Sequence, residues 1–245
     1  MLARVNSPQL VRPRRSFLGA LRDEVWQVLL PQRCIACGEF GAALHEACPD
    51  RLPVADGARC DRCWRPDARL DASGRCLEAS ANEAGFDALR AAFRFDGLAR
   101  RALLEAKFRG VTAHLDPLGR AAAAAVPAGW RPDVVVPVPL GRRRERTRGF
   151  NQAREVARAV AEVLAVPLAD GLVRRARETP PQAMLDAEAR RTNLREAFIL
   201  DGTPPPRVLV VDDVSTTEAT LGAVAAVLRR GGARFVGALA VARED

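Results

Sequence analysis

At 245 residues, with 48% hydrophobic and 28% charged side chains, the chain has the make-up of a soluble globular protein and not of a disordered polymer. No apolar run approaches the ~20 residues that a membrane helix requires, so membrane insertion is not expected. The net charge of +8 is carried almost wholly by arginine, Lys107 being the single lysine. Such a surface attracts polyanions at long range without by itself marking a nucleic-acid binder.

In chain order, Arg4, Arg12, Arg14 and Arg15 precede an apolar stretch that Arg22, Asp23 and Glu24 interrupt, with no small-residue cleavage site after it. This predicts an amphipathic helix over 16–30 and not a signal peptide, and hence a cytoplasmic location. All six cysteines then fall between Cys34 and Cys76, in an internal repeat. Cys34-x2-Cys37 followed by His45-x2-Cys48 is echoed by Cys60-x2-Cys63 followed by Ser73-x2-Cys76. Clustered thiols without a secretion signal read as metal ligands, and the spacing is that of a zinc ribbon, in which two tight turns bring four ligands to one tetrahedral ion. Cys34, Cys37, His45 and Cys48 form a complete set. Cys60, Cys63 and Cys76 lack a fourth member, because Ser73, a poor zinc ligand, stands in its place. That second site is vacant, completed by another group, or merged with the first, and a single site made of Cys34, Cys37, Cys60 and Cys63 stays open. One or two structural zinc ions are expected, since such small loop-rich units have little core.

Beyond the cysteines, apolar residues spaced three or four apart predict helices over 98–108, 113–125, 151–164 and 219–230. Short β-branched runs predict strands over 133–138, 207–211 and 235–241. Alternating strands and helices indicate an α/β fold with a parallel sheet flanked by helices. The division expected is 1–30 as an N-terminal helix or tail, 31–82 as a double zinc ribbon, and 83–245 as the α/β domain. His114 is expected on a helix surface, and Asn151 as the cap of the helix that follows it.

The richest stretch is VLVVDDVSTTEATL, beginning at Val208. Successive strand side chains point to opposite faces, so Asp212 and Asp213 are expected where the strand opens out. In open parallel sheets that carboxyl end is where ligands bind. Hydroxyl residues and a helix N-terminus follow, which together suit a phosphate-bearing molecule with a polyol beside it. Receiver domains of response regulators open on a similar string, but only 32 residues (245 − 213) follow Asp213, too few for one.

The segment resembles the phosphoribosyl-pyrophosphate (PRPP) signature of type I phosphoribosyltransferases. With Lys107-Phe108-Arg109-Gly110, Pro137-Val138-Pro139-Leu140, Arg148-Gly149-Phe150-Asn151-Gln152, the 177–182 segment with Thr179, and Arg190 with Asn193, all behind a double zinc ribbon, the chain resembles the ComF family of competence-associated proteins. The resemblance implies a type I phosphoribosyltransferase-like sheet, PRPP as ligand with magnesium, and a link to DNA uptake, with single-stranded DNA or competence-machinery proteins as further partners. Its alternative is a non-enzymatic DNA-binding factor with a regulatory or idle PRPP pocket. By the same resemblance, Asp212 and Asp213 would hold the ribose hydroxyls, and Ser215, Thr216, Thr217, Glu218, Ala219 and Thr220 would cradle the 5-phosphate. Val138, Pro139 and Leu140 would face pyrophosphate, and Arg148 would belong to a mobile basic loop over 142–148. Glu218 departs from the family pattern, which has glycine there. If its side chain swings to solvent the N–H groups can still bind phosphate more weakly, and if it cannot the seat is crippled; the expectation is that PRPP binding survives but is weaker than with glycine there.

Overall fold

In the computed structural model of the protein, the described residues are 32–74, 76–78, 85–176 and 197–245. The helix expected over 16–30, both edges of the expected division, and Thr179, Arg190 and Asn193 lie outside them. The α/β part runs β1 (Ala88–Arg94), α1 (Gly97–Arg109), α2 (Leu115–Ala123), β2 (Val134–Pro137), α3 (Arg142–Arg148) and α4 (Gln152–Leu164). It continues with β3 (Val173–Arg175), β4 (Phe198–Leu200), β5 (Arg207–Ser215), α5 (Ala219–Arg230) and β6 (Phe235–Arg243).

Alternation along β5 organises the core. Val208 and Val210 point to one face of the sheet with Val134, Val136 and Val236, and pack under Leu221, Val224 and Leu228 of α5. Leu209 and Val211 point to the other, with Val135 and Leu239, beneath Leu103 of α1, Leu118 of α2 and Val156 and Val160 of α4. All of these side chains are buried, each contributing roughly 1.5–3 kcal/mol of transfer free energy. A strand covered on both faces must be apolar at every position, which is why 207–211 reads as an unbroken run. The sheet order is β1-β6-β5-β2, with every pair parallel, and β3 and β4 form a separate antiparallel ribbon.

Helix ends follow local chemistry. Asp96 caps α1 by accepting from the Gly97 N–H, and Gly110 closes it in the left-handed region at φ 71°. Asn151 caps α4 as expected, accepting from the Ala153 N–H. The single helix expected over 113–125 is instead a 3-10 turn at Thr112–His114 followed by α2. Pro117, which has no N–H to give, is accommodated in the first turn of α2. The basic segment expected as a loop is the short helix α3, entered from Gly141 and closed by Gly149 at φ 81°. Where α2 meets α4, a Cβ on Gly119 would lie 2.8 Å from the Val156 carbonyl oxygen and 2.9 Å from the Ala159 Cβ. Gly119→Val is therefore expected to cost about 3 kcal/mol through helix displacement, read as a lowered denaturation midpoint in urea; an unchanged midpoint would refute this close approach.

The cysteine-bearing segment lies along the free edge of β1. The Ala55 N–H donates to the Ala92 carbonyl at 2.9 Å and the Arg94 N–H to the Pro53 carbonyl at 2.7 Å, around an antiparallel bridge from Val54 to Phe93. The Trp64 indole N–H reaches the Ala91 carbonyl at 3.0 Å, and the Arg90 guanidinium sits 4.4 Å from the Trp64 ring and 5.5 Å from that of Trp130. The β2 edge is covered by 167–169: Val135 donates to the Pro167 carbonyl and accepts from the Ala169 N–H. Among the described residues, no helix is long and apolar enough to cross a membrane.

Candidate functional site

Unequal strand lengths create the site. β2 pairs with β5 only as far as Pro137 opposite Val211, whereas β6 accompanies β5 to Ser215 opposite Arg243. Asp212 and Asp213 therefore do not follow the end of the strand, as alternation alone suggested. They lie within it, on the stretch where one neighbour has been lost, at the sheet's carboxyl end. Val138, Pro139 and Leu140 diverge from β2 on the opposite side, leaving a cavity of about 550 Å³.

Into this cavity converge Asp212, Asp213, Thr216 and Thr220 from one wall, and Lys107, Arg144, Arg148 and Arg175 from α1, α3 and β3. Asp212 accepts a hydrogen bond from the Asp213 N–H and Asp213 from the Val214 N–H, each at 2.9 Å. Burial, and after it the negative charge of Asp213, pushes the Asp212 carboxyl well above the usual carboxylate range, with Lys107 opposing. A raised folded pKa means that ionising Asp212 costs stability as pH rises through that value, while any ligand that needs the carboxylate binds better over the same rise. Asp213→Asn is expected to bring the Asp212 titration down and to raise the melting temperature at neutral pH. Carboxyl ¹³C NMR follows the first effect, and an unmoved Asp212 titration would exclude charge sharing between the two.

Supporting bonds hold the basic wall in place. The Asn151 amide donates to the Val138 carbonyl at 3.0 Å, tying the 138–140 segment to the cap of α4. Arg148 donates to the side-chain Oε1 of Gln152, and the buried Gln152 Nε2 donates to the Leu103 backbone carbonyl at 3.3 Å. Burial lowers the pKa of Arg148, and the Asp213 charge opposes it. Of the residues singled out from sequence, Val138, Pro139, Leu140, Arg148, Asp212, Asp213, Thr216 and Thr220 line the cavity. Ser215, Thr217, Glu218 and Ala219 belong to the same turn without lining it. Arg175 was missed, because a three-residue strand of Val-Arg-Arg offers no periodicity to place it.

Two sequence expectations are corrected. His114 is buried rather than on a helix surface, with Nε2 3.5 Å from a Glu105 carboxylate oxygen, and burial lowers its pKa. Glu218 does not reach solvent. It takes the left-handed conformation at φ 52° that glycine would favour, and its wholly buried carboxylate is ion-paired with the equally buried Arg243.

The cysteines form two separate groups, Cys34, Cys37, His45 and Cys48 in one and Cys60, Cys63 and Cys76 in the other, with all ligand atoms of each group within 4.8 Å of one another. This excludes the mixed site of Cys34, Cys37, Cys60 and Cys63. Cys63 and Cys76 are 3.7 Å apart at sulfur, close to the ~3.8 Å edge of a tetrahedron with 2.3 Å metal–sulfur bonds. His45 Nε2 lies 3.2 Å from the Phe40 carbonyl, an arrangement that fixes the proton there and turns Nδ1, 3.3 Å from the Cys37 sulfur, towards the thiols. Burial raises the Cys34 thiol, but N–H groups of Cys37, His45 and Ala36 outweigh it and bring it to about 6. Cys48 is pushed up to about 11 by burial and by Cys34 and Cys37. Thiols so crowded cannot all ionise unless a cation joins them, so both groups fit a soft metal ion. Ser73 is exposed and donates to Asp71 at 2.6 Å, so it is no fourth ligand.

No protein-family model matches the chain. Among solved structures, it is similar to a purine phosphoribosyltransferase from Pyrococcus horikoshii (19% identity, TM-score 0.35, 53% of this chain and 73% of that one). It is also similar to an orotate phosphoribosyltransferase from Aeropyrum pernix (23% identity, TM-score 0.31, 71% of this chain and 72% of that one). Among curated proteins, 106 residues are 39% identical to DNA utilization protein YhgH of Escherichia coli K12, covering 43% of this chain and 47% of that protein. Spanning about half the length of the curated relatives it matches, the chain is 36% identical over 116 residues to Competence protein F of Haemophilus influenzae, covering 46% of this chain and 51% of that protein.

Proposed function

We propose that the protein binds PRPP with magnesium as a phosphoribosyltransferase-like component of DNA uptake or use. The observation that carries this is the acidic pair and hydroxyl turn on one strand facing four cationic side chains across one cavity. Asp212 and Asp213 would accept hydrogen bonds from the ribose 2- and 3-hydroxyls, which carboxylates bind more strongly than neutral acceptors do. N–H groups and hydroxyls of the 215–220 turn, at the N-terminus of α5, would hold the 5-phosphate. Lys107, Arg144, Arg148 and Arg175 would face pyrophosphate beside 138–140. Two adjacent carboxylates, one with a strongly raised pKa, suit a bound cation; magnesium would supply neutralisation of pyrophosphate charge while keeping several of its waters.

The reaction that this arrangement supports is displacement of pyrophosphate from C1 of the ribose. The C1–oxygen bond breaks as a bond to an acceptor nucleophile forms, and pyrophosphate leaves with the electron pair. Positioning and electrostatic stabilisation of the leaving group by the arginines would supply most of the catalysis. In this reading each cysteine group carries structural zinc, and the zinc-bearing units and the α/β part form the two domains expected from sequence. Calorimetric titration of PRPP with magnesium, alongside pyrophosphate release, tests the proposal on the protein and on its Asp212/Asp213 variant.

A second reading, single-stranded DNA binding, is favoured by an arginine-lined cavity of about 520 Å³ next to the first, bounded by Arg142, Arg143, Arg146, Arg174 and Arg175. Phosphate contacts of this kind would give strongly salt-dependent binding. Base stacking on Trp64 is not supported, since Arg90 covers that ring and its indole N–H is bonded to the sheet.

A further inference from the structure

We propose that Glu218 is a positioning residue for the phosphate turn and that Arg65, from the second cysteine unit, holds it in place, so that metal binding by Cys60, Cys63 and Cys76 and anion binding at 215–220 are coupled. The inference rests on the proposed PRPP site for its ligand, but its mechanical part stands on side chains alone.

Three observations carry it. First, Glu218 is the N-cap of α5 in a left-handed conformation, and its side chain makes no capping hydrogen bond. A non-glycine residue there is strained unless its surroundings hold it, and what holds it is the carboxylate, wholly buried between Arg243 and Arg65, the latter 3.8 Å away. Removing either member of the fully buried Glu218–Arg243 pair leaves a charge without a close counterion, and Arg65, whose side chain is 36% exposed, adds a second hold on the same carboxylate oxygen. Second, the cluster is fixed to the cysteine unit on both sides of one turn. Arg59, just before Cys60, makes a forked contact with Asp245 at 2.9 and 2.7 Å, and Asp245 lies 3.7 Å from Arg243. Arg65 follows Cys63 by two residues. Third, the backbone between these arginines is a closed knuckle: the Cys60 N–H donates to the Arg65 carbonyl at 2.9 Å and the Trp64 N–H to the Cys60 carbonyl at 2.8 Å. Trp64 is itself left-handed at φ 62°, the place that Gly38 occupies at φ 80° in the first unit. A metal ion drawing Cys60 and Cys63 together would stabilise this knuckle and thereby the direction of Arg65. The buried Ser215 hydroxyl, which has no partner among the described residues, begins the turn.

The test compares the zinc-loaded full chain with Arg65→Met and Arg65→Lys, using amide hydrogen exchange over 216–220 without ligand and calorimetric titration of PRPP with magnesium. Arg65→Met is expected to exchange about tenfold faster across the turn and to bind PRPP about tenfold more weakly. Arg65→Lys, which restores the charge, is expected to recover most of both, a rescue that a packing role alone would not give. Cys60→Ser is expected to lose one metal equivalent and to add nothing further when combined with Arg65→Met. Unchanged exchange in Arg65→Met overturns the coupling, whatever Cys60→Ser does to folding. If the wild type fails to bind PRPP while exchange over 216–220 still responds to Arg65, the coupling stands and the assignment of PRPP as ligand falls.

Discussion

Asp212→Asn/Asp213→Asn is expected to weaken PRPP binding by at least about a hundredfold while leaving the protein folded. Each charge-assisted hydrogen bond from a ribose hydroxyl to a carboxylate is worth roughly 1.5–3 kcal/mol, so losing both charges removes on the order of 3–6 kcal/mol from binding. Folding does not suffer in the same way. The carboxylates bond chiefly to the N–H groups that follow them, which amide oxygens can also satisfy. They also repel one another in a partly buried setting. The variant should therefore melt no lower than the wild type, as expected of residues kept for ligand binding at some expense of stability. Calorimetry and thermal denaturation of the same samples read the two halves separately. Retained PRPP affinity in the double variant would remove the acidic pair from the ribose site; a variant that loses affinity only because it unfolds would return both residues to a structural role.

Removal of metal should have the other large effect. Two zinc ions per chain are expected by native mass spectrometry, with Cys34→Ser and Cys60→Ser each losing one. Apparent zinc-binding free energies of about 10–16 kcal/mol in small zinc modules at neutral pH couple directly to folding, because a preformed site does not exist in the unfolded chain. The buried residues of the second unit are scarcely more than its own thiols, Cys63 and Cys76. Strong chelation should thus lower the melting temperature by more than about 10 °C and abolish protection of 34–76 from proteolysis. A protein that holds no zinc when purified without chelators, yet shows an unaltered melting profile, would refute the structural-metal reading.

How much of this was legible in the sequence depended on how local the determining physics was. Asn151 sets a helix start through its immediate neighbours and was readable, as was the 207–211 part of β5, whose two-sided burial writes a continuous apolar run. β1 was not, because Ala-Leu-Arg-Ala-Ala-Phe-Arg lacks β-branched residues and becomes a strand only by pairing with β6 and with 53–55. The cavity's acidic side was found from one contiguous motif. Its basic side was harder: Arg175 and Lys107 line the same cavity as Asp212 from elements 37 and 105 positions away in the chain (212 − 175 and 212 − 107), and no local pattern encodes that. Glu218 shows the limit most plainly. Its identity contradicted the motif, but the residues that reconcile it, Arg243 and Arg65, are 25 and 153 positions away (243 − 218 and 218 − 65).

The pairing of 53–55 with β1 also bears on how the protein behaves in a crowded solution. Without that cover, β1 would present a row of unsatisfied N–H and C=O groups to any other chain, the usual starting point for strand-by-strand self-association. The segment that shields it connects Cys48 to Cys60, between the two cysteine groups. Under the proposed zinc loading, colloidal stability of the α/β part would depend on the supply of metal, and a chain that folds before its thiols are filled would be the one most exposed to aggregation.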